Sequence, residues 1–402
     1  MKPLEGIKVV DFTWSMAGPL AVKFLVDYGA TVIHIESATH PEFLRVSGPY
    51  KDNIPGIDRS GYFAFFAAGK YSLALNLNHP EAHRVTRSLV EWGDVIADNF
   101  TPGVMARYGL GYEQVQPVKP GMITLSISQM GQTGPLSKVS GTGTNLVGMA
   151  GFTTLTGWPD REPIQPFGGY PDFVSGALSA CSLLGALLYK RQTGKGQMLD
   201  VSQLEATSQF LVSSILNYTV NSEQEIRKGN HADNAAPNGI YPCRGDDRWC
   251  AISVVTEEDW SNFCQATGQA SWVTNPLFSS FSGRKQHEKE LDHLVAGWTA
   301  GFTPEQVMAI LQQHGIAAGV VNSSRDLVND PQLVARNTFW KLAHREMGDY
   351  LHLGELFRLS LTPAKAERGA PCLGEHTEYV CRELLKIPEN EFTELLLAGV
   401  FE

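Results

Sequence analysis

The sequence carries no C-x-x-C pair. Its six cysteines, Cys181, Cys243, Cys250, Cys264, Cys372 and Cys381, are scattered, which argues against a zinc site or a disulfide framework and fits reduced thiols. It also lacks a basic excess. The formal net charge is −10 over 402 residues, whereas a general nucleic-acid binder needs a basic surface to neutralise phosphates. Small anionic ligands stay open, because local basic residues can outweigh the global sign. The longest apolar run, "GALSACSLLGALLY" (176–189), stops at Lys190 and Arg191, short of the roughly 20 residues of a spanning helix. The start, "MKPLEGIKVVDF", has no signal-peptide pattern. These absences predict a soluble, cytoplasmic protein with no membrane or nucleic-acid partner.

Two glycine patterns are missing as well. The first turn reads "TWSMAGPL", with only Gly18 where G-x-G-x-x-G is needed, so the acid at Glu36 does not complete a dinucleotide fingerprint. "GTGTNLVG" (141–148) has no P-loop lysine and reads as a flexible connection. "HPEAH" (79–83) spaces two histidines like metal ligands, but Pro80 sets His79 at or before the helix start, and no metal site is expected.

What the chain does have is a β-α-β rhythm. Strands read at 7–12, 31–37, 71–77, 94–100, 122–128 and 198–202, with helices at 18–29, 80–93, 172–191 and 204–218. This alternation implies an α/β fold with a parallel, Rossmann-like sheet covered on both faces. The polar stretch "VNSEQEIRKGNHADNAAPNG" (220–239) reads as a linker. The expected organisation is a large α/β domain over 1–219, the linker 220–239, and a smaller α+β domain over 240–325. The segment 326–402 returns to complete the large domain. Within the small domain, "GIYPCRGDDRWCAISV" predicts a hairpin turning at Gly245–Asp247.

One carboxylate stands out. In "GGYPDFVSG" (168–176), Asp172 sits at the mouth of a long apolar helix behind two glycines and a proline. Aspartate is among the best N-caps, so capping alone explains the residue type. The readings are compatible: free N–H groups at a helix start stabilise an ionised carboxylate, which is a competent covalent nucleophile.

Motifs along the whole chain give a resemblance. They are "PLEGIKVVDFT" with "AGP", "GATVIHIE", "GKYSLALNL", "DNFTPGVMARYGLGYE", "SQMGQTGP", the "D-x-x-SG" after the glycine pair, "RQTGKGQMLDVS" and "LGEHTEYV". Together they resemble the class III (CaiB/BaiF) CoA-transferases, which include formyl-CoA and carnitine CoA-transferases and acyl-CoA racemases. The resemblance implies a CoA-transferase acting on acyl-CoA and small carboxylic acids, with CoA as substrate and no tightly bound cofactor. It implies that Asp172 forms aspartyl anhydride and aspartyl-CoA thioester intermediates. Implied CoA contacts are Ser15, Met16, Leu75, Asn99, Phe100, Arg107 and Lys138; nearness along the chain to Met16 and Asp172 adds Trp14, Gly168, Gly169 and Tyr170 as substrate-pocket residues. The resemblance also implies an interlocked homodimer.

Departures from the family bear on the substrate. Met16 stands where formyl-CoA transferases have glutamine, Ser37 stands where they have arginine, and their glycine run in the small domain is missing. Loss of the glutamine removes a hydrogen-bonding partner for a small polar acyl group. With Phe167, Tyr170 and Phe173 around Asp172, the acyl pocket is expected to favour larger or more apolar acids than formate and oxalate. Two alternatives remain. A racemase needs two bases flanking one carbon, but Thr142 occupies the position of the racemase histidine. A non-catalytic CoA-binding protein would bind CoA without exchange.

Overall fold

The structure is a computed structural model and describes residues 2–402. Six strands form one parallel sheet: β1 (Lys8–Asp11), β2 (Thr31–Glu36), β3 (Tyr71–Ala74), β4 (Val95–Asp98), β5 (Ile123–Ser128) and β6 (Met198–Ser202). Their order is β3-β2-β1-β4-β5-β6, parallel throughout. β4 and β5 are buried along their whole length, so neither shows a solvent face. The polar members of β5 are small: Ser126 Oγ donates to Asp98 Oδ2 at 2.8 Å inside the core.

Helices cover both faces. On one face α1 (Ala17–Asp27) and the helix Tyr170–Thr193 pack Ala21, Val22 and Leu25 against Leu183, Ala186 and Leu187. On the other, α3 (Ala82–Trp92) meets the C-terminal segment through Val85, Leu89, Val380, Phe392 and Leu395. Gly176 makes the first pairing possible, since a Cβ there would stand 2.8 Å from the carbonyl oxygen of Ala17.

The strand order reverses between β1 and β4, and an open α/β sheet leaves its crevice at that switch point, beyond the carboxyl ends of the strands. Buried ion pairs brace these ends. Asp11 accepts from Lys70 Nζ at 2.8 Å and lies 3.1 Å from His34 Nδ1. Glu36 takes both prongs of Arg45 at 2.7 Å each. Burial alone would raise the Asp11 carboxyl, but Lys70 and His34 outweigh it and hold it well below the usual carboxylate range.

The chain divides into two compact units, one of residues 1–154, 165–225 and 334–402, the other of 155–164 and 226–333. The boundaries differ from those read in the sequence. The segment Leu155–Ile164, placed there in the large domain, joins the smaller unit, where Gly229 N–H donates to Gly157 O at 2.9 Å. The second half of the supposed linker belongs to that unit too, and it ends in strand β7.

In the smaller unit β7 (Asn238–Pro242), β8 (Trp249–Ser253) and β9 (Ala317–Val320) pair antiparallel over a core holding Trp260, Phe263 and Trp272. The β7–β8 hairpin turns through Gly245 and Asp247, both at positive φ. In the larger unit β10 (Phe339–His344) and β11 (Gly348–Leu353) form a separate hairpin.

The Tyr170–Thr193 helix, 24 residues long, outruns the apolar stretch measured in the sequence. Among the described residues it is the one helix long and apolar enough to cross a membrane. Its inner face is packed in the core, while Leu178, Leu184 and Leu188 stay exposed.

Candidate active site

The site begins with the turn after β1. Asn99, just past β4, donates its Nδ2 to Trp14 O at 2.6 Å and accepts Trp14 N–H on Oδ1 at 2.7 Å. The carboxamide thus staples the first turn across the switch point. A Cβ on Gly18 would sit 2.5 Å from Thr13 Cβ, which accounts for the glycine of "AGP". Ser15 follows at φ +64°, a left-handed conformation worth about 1–3 kcal/mol of strain in a non-glycine residue. Its N–H donates to Glu42 Oε1 at 2.6 Å. Glu42 is fully buried, and burial pushes its carboxyl up to about 7 against the opposing influence of His34 and the Ser15 N–H.

Met16 stands at the start of α1, and Tyr62, on α2 (Gly61–Ala67), directs its hydroxyl to the Met16 sulfur at 2.6 Å. Asp172 arrives from the Tyr170–Thr193 helix. It does not cap that helix: Gly169 is the N-cap, with no side-chain bond, and Asp172 lies in the first turn after Pro171. The proline marks the true start, since first-turn positions tolerate it.

Freed from capping, the Asp172 carboxyl meets Gln203. Gln203 Nε2 donates to Asp172 Oδ1 at 3.0 Å and to Ser175 Oγ at 3.2 Å. Burial pushes the Asp172 carboxyl upward from its ordinary value, opposed by Gln203 and by the N–H groups of Asp172 and Ala17. A raised pKa makes a carboxylate more basic and more nucleophilic. Oδ2 lies on the side of Gly143, where an added Cβ would come within 3.2 Å of it and 1.9 Å from Gly168 O.

Most of the residues expected from the sequence meet in one cleft of about 640 Å³: Trp14, Ser15, Met16, Asn99, Phe100, Gly168 and Asp172. Leu75 lines a smaller cleft of about 180 Å³ that shares Trp14 and Phe100 with the first. Arg107 ends the short helix α4 (Val104–Arg107), exposed and without an ion pair among the described residues. Lys138 is exposed between Ser137 and Val139, which line the large cleft while Lys138 does not. Gly169 is tightly packed, since an added Cβ would stand 2.8 Å from Phe167 Cε1 and 2.9 Å from Met16 Cε.

Tyr170 is not brought to the cleft. Its ring packs on Phe152 at 5.1 Å and Phe210 at 6.4 Å, because it sits two helical positions before Asp172 and points elsewhere. Phe167 and Phe173 do not line it either. Sequence reasoning missed Gln203, Tyr62, Glu42 and Gly143. Only the glycine-rich "GTGTN" gave a local signal, and there Thr142 is engaged with Asn145 Oδ1 at 3.2 Å.

Asp172 is the one acid or base among the side chains lining this cleft. Among the described residues no cluster of His, Cys, Asp and Glu is arranged to hold a metal ion. An arrangement with one carboxylate and no second base suits covalent group transfer better than proton exchange at carbon.

Known proteins similar to this chain are CoA-transferases. A succinyl-CoA–D-citramalate CoA-transferase of Chloroflexus aurantiacus is 29% identical over 98% of this chain and 97% of its own. A succinate–glutarate CoA-transferase of Agrobacterium fabrum is 29% identical over 95% and 96%. The crystal structure of a CaiB/BaiF family protein from Brucella suis superposes with a TM-score of 0.87 at 29% identity, covering 95% of this chain and 99% of that one. The profile of CoA-transferase family III matches residues 4–377, and the chain, with one carboxylate lining the cleft of a Rossmann-ordered sheet, belongs to that family.

Proposed function

We propose that the protein moves CoA between carboxylic acids with Asp172 as covalent nucleophile. The observation that carries this reading is the cleft at the sheet's switch point, in which Asp172 is the only acid or base. Oδ2, the oxygen not bonded to Gln203, attacks the thioester carbonyl of a donor acyl-CoA. The C–S bond breaks, CoA thiolate leaves, and an acyl–aspartyl anhydride remains. The thiolate attacks Cγ of Asp172 and expels the donor acid, giving an aspartyl-CoA thioester. The acceptor carboxylate attacks the same Cγ and expels the thiolate. The thiolate then attacks the new acyl carbon, and Asp172 leaves as a carboxylate. Holding the reactants together supplies much of the rate.

CoA lies along the two clefts that share Trp14 and Phe100. Arg107 and Lys138 stand beside them as free cations for its phosphates. Asn99 serves by fixing the turn, since both ends of its carboxamide are engaged there. The lining combines apolar Met16 and Phe43 with hydroxyls of Ser137, Ser140 and Thr144, a mixture suited to the methylenes and distal carboxylate of a short dicarboxylic acid. The relatives named above take succinyl groups, so succinyl-CoA is the first donor to test. Purified protein with succinyl-CoA should form new CoA thioesters across several C4 and larger acids, read by mass spectrometry. A kcat/KM for formyl-CoA with oxalate about tenfold above every other pair would contradict the pocket assignment.

The racemase reading gains nothing from the cleft, where Thr142 is bonded to Asn145 and no second base is present. The functional form proposed is an interlocked homodimer. Supporting it are exposed apolar residues, Leu184 and Leu188 four positions apart on one helix and Val212, Ile215 and Leu216 at helical spacing on the helix Val212–Asn221. Linked protomers do not exchange, so differently tagged dimers mixed overnight should yield no heterodimer. Recovery of heterodimers within hours would rule the linkage out.

A further inference from the structure

Gln203 is 7% exposed and lines the cleft. Its Nε2 has two neighbours, Asp172 Oδ1 at 3.0 Å and Ser175 Oγ at 3.2 Å. Ser175, wholly buried, donates its hydroxyl hydrogen to Pro171 O at 2.7 Å and meets Gln203 with lone pairs. Both neighbours are therefore acceptors. That fixes the orientation of the carboxamide, with its NH₂ group toward the carboxylate.

We propose that Gln203 is a catalytic residue, the donor that stabilises negative charge on Asp172 Oδ1 each time Cγ is attacked. The proposal rests on the covalent reading above. In that sequence Cγ is attacked twice, by CoA thiolate on the donor anhydride and by the acceptor carboxylate on the aspartyl-CoA thioester. Each attack pushes the C=O electron pair onto Oδ1. Collapse restores the double bond and expels the donor acid, which carries away Oδ2, or the CoA thiolate. Oδ1 is the oxygen that Gln203 already holds, so the donor is in place before charge develops. The opening and closing attacks fall on the acyl carbon, and their oxyanion forms on the substrate instead. In the resting enzyme the same bond steadies the carboxylate, so its loss does not remove the nucleophile.

The test separates these steps. Gln203→Met keeps the side-chain length and removes the donor. Its kcat should fall by about 10²–10³-fold, the usual effect of one lost oxyanion donor, with KM for acyl-CoA held within about threefold. After rapid mixing with acyl-CoA alone, acid quench and peptide mass spectrometry should show the acyl adduct on Asp172 forming at close to the wild-type rate. The CoA adduct should lag by a factor similar to the loss in kcat. A purely structural Gln203 would slow both adducts together, and that result, or a wild-type kcat, overturns the proposal. Gln203→Glu gives a second check, because its carboxyl donates only when protonated: activity should recover as pH falls, and a pH-independent loss contradicts the assignment. Wild-type protein that forms no adduct on Asp172 during turnover would instead sink the covalent reading itself.

Discussion

Asp172→Asn should fold, bind CoA and turn over at least about 10⁴-fold more slowly than the wild type, the scale of loss seen when a covalent nucleophile is removed. Asparagine matches the shape of aspartate, and its Oδ1 can still accept from Gln203 Nε2. Gly169, not Asp172, is the N-cap of the helix, so the substitution leaves the cap intact and costs only the carboxylate's attraction to the helix start, about 0.3–1 kcal/mol. What disappears is the anionic oxygen that attacks the thioester. Thermal melting should shift little, and CoA binding, measured by calorimetry, should persist. Near-wild-type rates in protein shown by mass to be free of deamidation would contradict the assignment.

Gly143→Ala should lower kcat/KM by about 10²-fold or more, the effect expected when reacting groups are displaced by roughly an ångström. The methyl group would lie 1.9 Å from Gly168 O and 2.9 Å from its carbonyl carbon. Backbone has no rotamer with which to escape, so the glycine pair before Asp172 must move, and Asp172 Oδ2, 3.2 Å from the new carbon, moves with it. Gly148→Ala is the control, since the stretch read as a flexible connection forms a short helix, Gly143–Met149, that holds both glycines. Nothing lies nearer than Thr153 Oγ1 at 3.9 Å, and activity should be retained. Equal losses in both variants would show that the helix tolerates no methyl group anywhere and that the contact with Gly168 is not special.

The parallel sheet was legible because buried strands carry apolar runs between turn signals, and β1, β2 and β4 follow that pattern closely. Asp172 was legible because glycines and a proline isolate one acid before a long apolar helix. Its role in the helix was not, since only the backbone shows that Gly169 is the cap. Gln203 lies 31 residues further on, at the end of β6, and the parallel pairing of β5 with β6 carries it to the site. No local pattern encodes that meeting. Asn99 was legible as a site residue, but the two bonds to the Trp14 backbone, which make it a staple, depend on β1 and β4 being neighbours. Glu42 carried no signal in the sequence, because its burial against the Ser15 turn comes from packing across 27 residues. Tyr170 shows the opposite failure: proximity to Asp172 along the chain suggested a pocket residue, and helical geometry turned it away.

The most direct test of covalent catalysis uses the wild-type protein and an acyl-CoA that supports turnover, with no acceptor acid added. The sample is acid-quenched, digested and read by tandem mass spectrometry. CoA should appear in thioester linkage on the peptide spanning "GGYPDFVSG", localised to Asp172, and should disappear when an acceptor carboxylate is added before the quench. An adduct on another residue, or turnover with no adduct at all, would contradict Asp172 as the nucleophile.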